Sequence, residues 1–391
     1  MQIWFEESEF LDRLKRTKQS MEKHGIDVLL ATNPANMNYL CGYDGWSFYT
    51  HQLVLVAMDE PQPIWIGRGV DAAGARLTTY VKPENLIAYP DDYVQSEDKH
   101  PMSFVAALIK DRGWAPRRIG VEMESYYYTA KCHEALQTGL PQGRFSDVTR
   151  LVNWVRSVKS PREIEYMRDA GQIVEKAMQV AVEGIRPGVR QSDVVANIYH
   201  AQISGTEAFG GDYPTTPPML PSGKYSTAAH LNWTDEVYQP NTGTFIEIAG
   251  CRHRYHCPLA RTVYLGSPPT IVSDTAKVVA QGVEAALDTA KPGVTCEEVE
   301  AGWRRAIAAS GIVKDMRIGY SVGLNYPPSW GENTMSLRPG DRTVLQPNMT
   351  LHMVPGIPLE HCSVYISETF RITETGSEPL TRFPRKLFVE H

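Results

Sequence analysis

The sequence predicts a two-domain protein of mixed α/β (α+β) class, with a small α/β domain over residues 1–150 and a larger domain over 151–391. Three observations predict it. At 391 residues the chain exceeds one typical core. Up to about Val148, helical and strand-like runs alternate, as in α/β domains. Beyond that point, helix–turn–helix units stand on either side of a hairpin at Phe245–Gly266, and the C-terminal part is rich in strand patterns.

Composition narrows the function classes. Hydrophobic residues make up 42% and charged residues 21%, ordinary for a globular protein. The net charge of −6 is spread out and holds no basic run, so no nucleic-acid partner is expected, nor an anionic membrane surface. No apolar stretch reaches membrane-spanning length, and Met1–Glu7 lacks the basic and apolar regions of a signal peptide. Six scattered cysteines without a Cys-x-x-Cys pair suit reduced thiols, so a cytoplasmic protein is expected.

Taken in order, Glu7–Gly25 reads as an amphipathic helix with a glycine stop and Val28–Thr32 as a buried strand. Asn33–Tyr49 reads as a polar, aromatic loop. Gln52–Met58 and Pro63–Ile66 follow as strands, then alternating helices and strands to Val148. Ser160-Pro161-Arg162-Glu163 opens a long helix: serine as N-cap, proline at the first helical position, glutamate completing a capping box. A second helix is expected at Gln191–Gly205. Gly210–Gly223, rich in Pro, Gly and Thr, is too irregular for a regular element, and long loops of this kind are often functional. Helices at Val272–Lys291 and Cys296–Ser310 repeat the plan. Ile185-Arg-Pro-Gly-Val189 and Ala290-Lys-Pro-Gly-Val294, each before a helix, suggest an internal duplication around a shared site. The tail reads as strands at Thr350–Val354, Cys362–Phe370 and Arg371–Thr373.

The hairpin carries the sharpest signal. Phe245–Ala249 and Leu259–Leu265 read as strands joined by a polar turn, and period-two alternation sets Ile246 and Ile248 against a core with Glu247 on the opposite face. A carboxylate inside a strand bracketed by Ile and Phe is costly to bury without a partner. A solvated face is the plain alternative.

Val158–Gly171, the two Pro-Gly-Val turns, Ala260–Gly266 and Arg371–Gly376 resemble the creatinase / aminopeptidase P / prolidase family. The resemblance covers about Leu151 to Thr381, and the N-terminal domain also fits. It implies the pita-bread fold, a curved sheet flanked by two pairs of helices, and a homodimer. It also implies five metal-ligand positions, which here hold Glu247, Pro258, Tyr320, Val354 and Ser367, the last beside Glu368. Pro and Val donate no lone pair, and hard divalent ions need several oxygen or nitrogen ligands. No metal and no cofactor are therefore expected, and with them goes metal-activated water.

His230 matches the histidine that the family places near the scissile bond, and the metal-free creatinases are thought to use it in acid–base work. A satisfied core or surface histidine is the alternative. Among the metal-free members, Glu247, Gly250–His256, Pro258–Thr262 and Ser367–Phe370 resemble the ectoine hydrolases, while Ala260, just before Arg261-Thr262, departs from the acidic residue of creatinases. This implies a zwitterionic cyclic amidine as substrate, of which ectoine is one and hydroxyectoine a second candidate. Protonation already makes the carbon between its nitrogens electrophilic, so the site needs a carboxylate and a proton-transfer group: Glu247 and His230. Trp233, Tyr255, Tyr320 and Trp330 are candidates to face the cation, with plain core as their alternative. Tyr255 and His256 flank the turn within reach of the site, with simple packing as their alternative. His352, Glu360 and His361 lie near the site in the family layout, and Glu368 is a candidate second carboxylate for the amidinium, although a solvated edge is the default for an acidic residue in a β-rich tail. Arg261 reads as structural. The Gly42–Tyr49 loop is expected to reach a partner subunit's pocket. The competing readings are a creatinase-like amidinohydrolase, a Xaa-Pro peptidase and a metal-free binding module.

Overall fold

The computed structural model describes residues 3–390; Met1 and Gln2, which open the stretch read for a leader, and His391 lie outside the described residues. The chain divides into two compact units, one up to Arg156 and one from Ser157 on.

The first unit comprises α1 (Glu7–His24), β1 (Val28–Ala31), α2 (Pro34–Cys41), β2 (Leu53–Ala57), β3 (Ile64–Arg68), α3 (Ala72–Thr78), β4 (Leu86–Tyr89), α4 (Pro101–Asp111), β5 (Arg118–Val121), α5 (Ala130–Gly139), β6 (Arg144–Asp147) and α6 (Leu151–Val155). Its six strands form one mixed sheet in the order β4-β3-β2-β1-β5-β6. The segment read as an aromatic loop after β1 contains α2: the Asn33 side chain accepts the Ala35 N–H and Pro34 takes the first helical position. That Asn-Pro pair was the missed signal.

The second unit runs α7 (Pro161–Gly184), α8 (Gln191–Ser204), β7 (Thr242–Arg252), β8 (Tyr255–Leu265), α9 (Thr270–Thr289), α10 (Cys296–Ile307), β9 (Gly319–Val322), β10 (Gly331–Leu337), β11 (Thr350–Met353), β12 (Ile357–Pro358), β13 (Ser363–Val364), β14 (Glu368–Ile372), β15 (Ser377–Pro379) and β16 (Phe388–Glu390). Ser160 and Glu163 form the expected capping box at α7. The two Pro-Gly turns are equivalent in detail. Gly188 and Gly293 both have left-handed φ (82° and 87°), where an L side chain would be strained. Gly188 N–H donates to Tyr238 O and Gly293 N–H to Leu345 O, and the residues beyond form the matching bridges Arg190–Val237 and Thr295–Val344.

β7 and β8 pair over eleven residues each, longer than expected, because the connection is only His253-Arg254. Both have positive φ (50° and 68°), as a two-residue turn matched to the strand twist requires. β7 lies directly on α7: a Cβ at Gly250 would stand 2.0 Å from the Ala170 carbonyl oxygen. The other main sheet has the order β10-β9-β11-β14-β15. Ser367 N–H donates to Ala260 O, and Ala260 N–H donates back to Ser367 Oγ at 2.6 Å, so β8 of the hairpin is tied to the residue that leads into β14 of the five-stranded sheet.

Candidate active site in the second unit

The register of the five-stranded sheet decides what faces the hairpin. His352 on β11 lies opposite Tyr320 on β9 and Thr369 on β14, so the three side chains share one face. Thr369 Oγ1 donates to Pro258 O on β8 at 2.6 Å and holds that row against the hairpin. Glu247, in mid-strand on β7, then meets His352: Oε1 lies 3.9 Å from Nε2. The Tyr320 ring stands edge-on to the imidazole at 5.8 Å, and its hydroxyl accepts the Trp330 indole N–H at 2.9 Å. Tyr365 completes the cluster; its ring lies 4.4 Å from that of Phe245, two residues before Glu247.

The electrostatics follow from burial. Desolvation pushes the Glu247 carboxyl up to about 7. It pushes the Tyr365 phenol up to about 12, with the Glu247 charge adding to it, and raises the Tyr320 phenol for the same two reasons. His352 is fully buried and pushed down to about 3, by desolvation first and the Arg261 charge second, so its imidazole is neutral. Glu247 is therefore a carboxyl in a buried, aromatic setting rather than a group on a solvated face.

Of the residues singled out in the sequence, the structure brings together Glu247, Tyr320 and His352, with Trp330 holding Tyr320. Others are placed elsewhere. Tyr255 stands on the opposite face of the hairpin, where its hydroxyl donates to Glu163 at 2.7 Å, because the strand runs through what was read as a turn. His256 shares the Glu247 face, but its Nε2 accepts the Thr215 N–H at 3.1 Å, and burial holds it neutral, down to about 3. It fastens the irregular 210–223 segment, whose Met219 bridges Glu247 through both backbone bonds. Glu368 is fully buried and bound by Thr381 Oγ1 (2.6 Å) and Arg385 Nε (2.8 Å), which makes it an internal ion-pair partner. Glu360 and His361 project from an exposed turn, 3.6 Å apart. All the Arg261 hydrogen bonds end on backbone carbonyls, those of Ala260, Ser367, Phe383 and Pro384. His230 is exposed on the segment before β7, at a left-handed φ of 68°, and Trp233 nearby is half-buried. Among the described residues no hydrogen bond or ion pair joins His230 to Glu247. Tyr365 was missed: it lies outside regular strand pairing, and only the packing against Phe245 reveals it.

The five metal-ligand positions do not form a two-metal donor set. Pro258 and Val354 offer no side-chain donor, Ser367 Oγ is taken by the Ala260 N–H, and the Tyr320 hydroxyl by Trp330. In the first unit His51, His100 and Cys132 bring ligand atoms within 4.8 Å of one another. However, His100 Nδ1 accepts the Met102 N–H at the start of α4, so in the neutral ring the other nitrogen carries the proton and has no lone pair to give.

Comparisons with known proteins bear on the family and the fold. The model of metallopeptidase family M24 matches residues 165–374, and that of the creatinase/prolidase N-terminal domain matches residues 13–158. The chain is 46% identical over 393 residues to the ectoine hydrolase of Halomonas elongata, covering 99% of this chain and 98% of that protein. It is 48% identical over 388 residues to an uncharacterized hydrolase/peptidase of Sinorhizobium fredii, covering 99% of both. The dipeptidase PepE of Mycobacterium ulcerans superimposes with a TM-score of 0.81 over 98% of this chain and 99% of that one at 20% identity, a likeness of fold. The architecture is thus a creatinase-type N-terminal domain followed by a pita-bread domain.

Proposed function

This chain belongs to metallopeptidase family M24 and is an enzyme of the hydrolase class, and on that premise we propose that it opens the cyclic amidine ring of ectoine without a metal. Ring opening adds water across one C–N bond of the amidine and leaves N-acetyl-2,4-diaminobutyrate. The observation that carries this reading is the buried Glu247 facing a neutral His352 among aromatic rings, with no donor set for a metal pair around it.

A cationic amidinium supplies what the pocket lacks. It is already electrophilic at the carbon between its nitrogens, and its charge favours ionisation of the carboxyl beside it. Ionised Glu247 attacks that carbon or holds the water that does, while Tyr320 and Tyr365 face the delocalised cation. His230 is the proposed group for protonating the departing nitrogen, carried on the exposed segment before β7. Arg317, whose guanidinium lies 4.6 Å from the centre of the Tyr320 ring, is a candidate for the substrate's carboxylate.

The test is a panel. Ectoine, hydroxyectoine, creatine and a Xaa-Pro dipeptide are titrated calorimetrically and their products identified, with and without EDTA. Ectoine turnover that survives chelation is the expected result. Activity lost to EDTA and restored by Mn²⁺, or cleavage of the dipeptide alone, would defeat the reading. Binding without turnover would point to a binding module instead.

A homodimer belongs to the same proposal, because the segment around Gly42–Tyr49 exposes Trp46 and Tyr49 (59% and 70%). Sedimentation under assay conditions is expected to show a dimer, and an active monomer would refute it. Among the described residues no helix is long and apolar enough to cross a membrane. The six cysteines are free, buried thiols, which supports a cytoplasmic setting.

A further inference from the structure

His352 has a feature that the proposed reaction does not yet use. Its Nε2 is fully buried, lies 3.9 Å from Glu247 and has no hydrogen-bond partner among the described residues. A buried polar atom left unmatched calls for an explanation, and one such explanation is a ligand. Whether Nε2 offers a proton or a lone pair is decided on the far side of the ring. His352 Nδ1 is 3.0 Å from Thr369 Oγ1. The Thr369 hydroxyl has a single proton, and it goes to the Pro258 carbonyl at 2.6 Å. The Cys257 thiol also lies beside this hydroxyl, and if it took the proton instead the outcome for His352 would be the same. Towards the ring, Thr369 Oγ1 can therefore only accept. Nδ1 must donate to it, and in a neutral imidazole Nε2 is then the nitrogen with the lone pair.

We infer that His352 is a substrate-recognition residue whose Nε2 accepts a hydrogen bond from an N–H of the amidinium, and that Thr369 is the positioning residue that fixes this tautomer. This rests on the reading of the substrate as a cyclic amidine and deepens it. Glu247 and His352 present two acceptors side by side, matching a cation that bears N–H donors and rejecting a ligand that presents only acceptors there. The chain His352–Thr369–Pro258 spans β11, β14 and β8 and fixes the ring across both sheets.

Thr369→Val keeps the shape of the side chain and removes the acceptor. With nothing to receive Nδ1–H, the proton is expected to move to Nε2, towards Glu247, where it opposes an N–H donor of the substrate. Two measurements test this. Long-range ¹H–¹⁵N spectra of ¹⁵N-histidine-labelled full chain, with the His352 signal identified by its loss in His352→Gln, should show the Nδ1–H tautomer in the wild type and Nε2–H in Thr369→Val. In steady-state assays Thr369→Val should lower kcat/KM for ectoine at least tenfold, and Thr369→Ser, which restores the hydroxyl, should recover it to within about threefold. An Nε2–H tautomer in the wild type, or Nδ1–H persisting in Thr369→Val, would overturn the inference. So would a Thr369→Val variant with wild-type kcat/KM. The spectra are recorded without substrate, so if ectoine proves the wrong substrate the tautomer assignment is still decided.

Discussion

Glu247→Gln is expected to lose at least 10²-fold in kcat while folding normally. The substitution keeps the shape and hydrogen-bonding reach of the side chain and removes the charge, so the nucleophile or base and the countercharge to the amidinium disappear together. The pH dependence separates this from a packing defect. Burial raises the carboxyl to about 7, so in the free enzyme the ionised form predominates only above that pH. The kcat/KM for ectoine should rise as pH climbs through about 7. The limb in kcat should lie lower, because a bound cation favours the carboxylate. Glu247→Gln should flatten both limbs. Stability carries the opposite sign. A carboxyl whose folded pKa lies above its unfolded value binds its proton more tightly when folded, so ionising it costs stability. That cost sets in above the ordinary carboxylate range and is complete above about 7. At pH 8 the Gln variant should therefore be at least as resistant to urea as the wild type. A variant that keeps more than about a tenth of wild-type kcat would leave less than about 1.4 kcal/mol of the barrier resting on Glu247, and the role assigned to it would be wrong.

The parts of this site that the sequence revealed are those fixed by local pattern. Period-two alternation set Glu247 opposite Ile246 and Ile248, and Ser160 with Glu163 marked the start of α7 at the residues observed. The Pro-Gly-Val phrases marked two turns that make matching hydrogen bonds, each glycine N–H meeting the carbonyl just beyond the bridge partner. The parts that stayed hidden depend on which strand lies beside which. Tyr255 and Glu247 are on facing strands, but only the register of a two-residue turn puts them on opposite faces. Glu368 looked like a second carboxylate for the substrate, yet its charge is taken by Arg385, seventeen residues on in an irregular tail. Tyr365 and Thr369 carry no motif. Thr369 matters because β14 packs against β8, and Tyr365 because the segment before β14 packs against β7; both contacts cross more than a hundred residues of chain, and no periodicity encodes that distance.

His230→Ala should lower kcat for ectoine by about 10²–10⁴-fold, the usual worth of a general acid–base group, with almost no change in the unfolding midpoint. The stability half of this expectation comes from the structure: the side chain is exposed and outside any packed cluster, so truncation opens no cavity. The catalytic half comes from a need of the chemistry. The departing ring nitrogen must gain a proton. His352, held neutral with its lone pair inward, has none to give, and Tyr320 already receives the Trp330 N–H with its phenol proton raised well beyond neutral pH. An imidazole on the solvent side can take a proton from water and pass it on. If Glu247 and His230 act on one carbon, their effects cannot add, so the Glu247→Gln/His230→Ala double variant should be scarcely slower than the worse single one. Two independent losses that multiply would show that His230 works elsewhere, in binding or in product release. A His230→Ala enzyme with near-wild-type kcat would leave the proton to a bound water, and the solvent deuterium isotope effect on kcat would then be the same with and without the histidine.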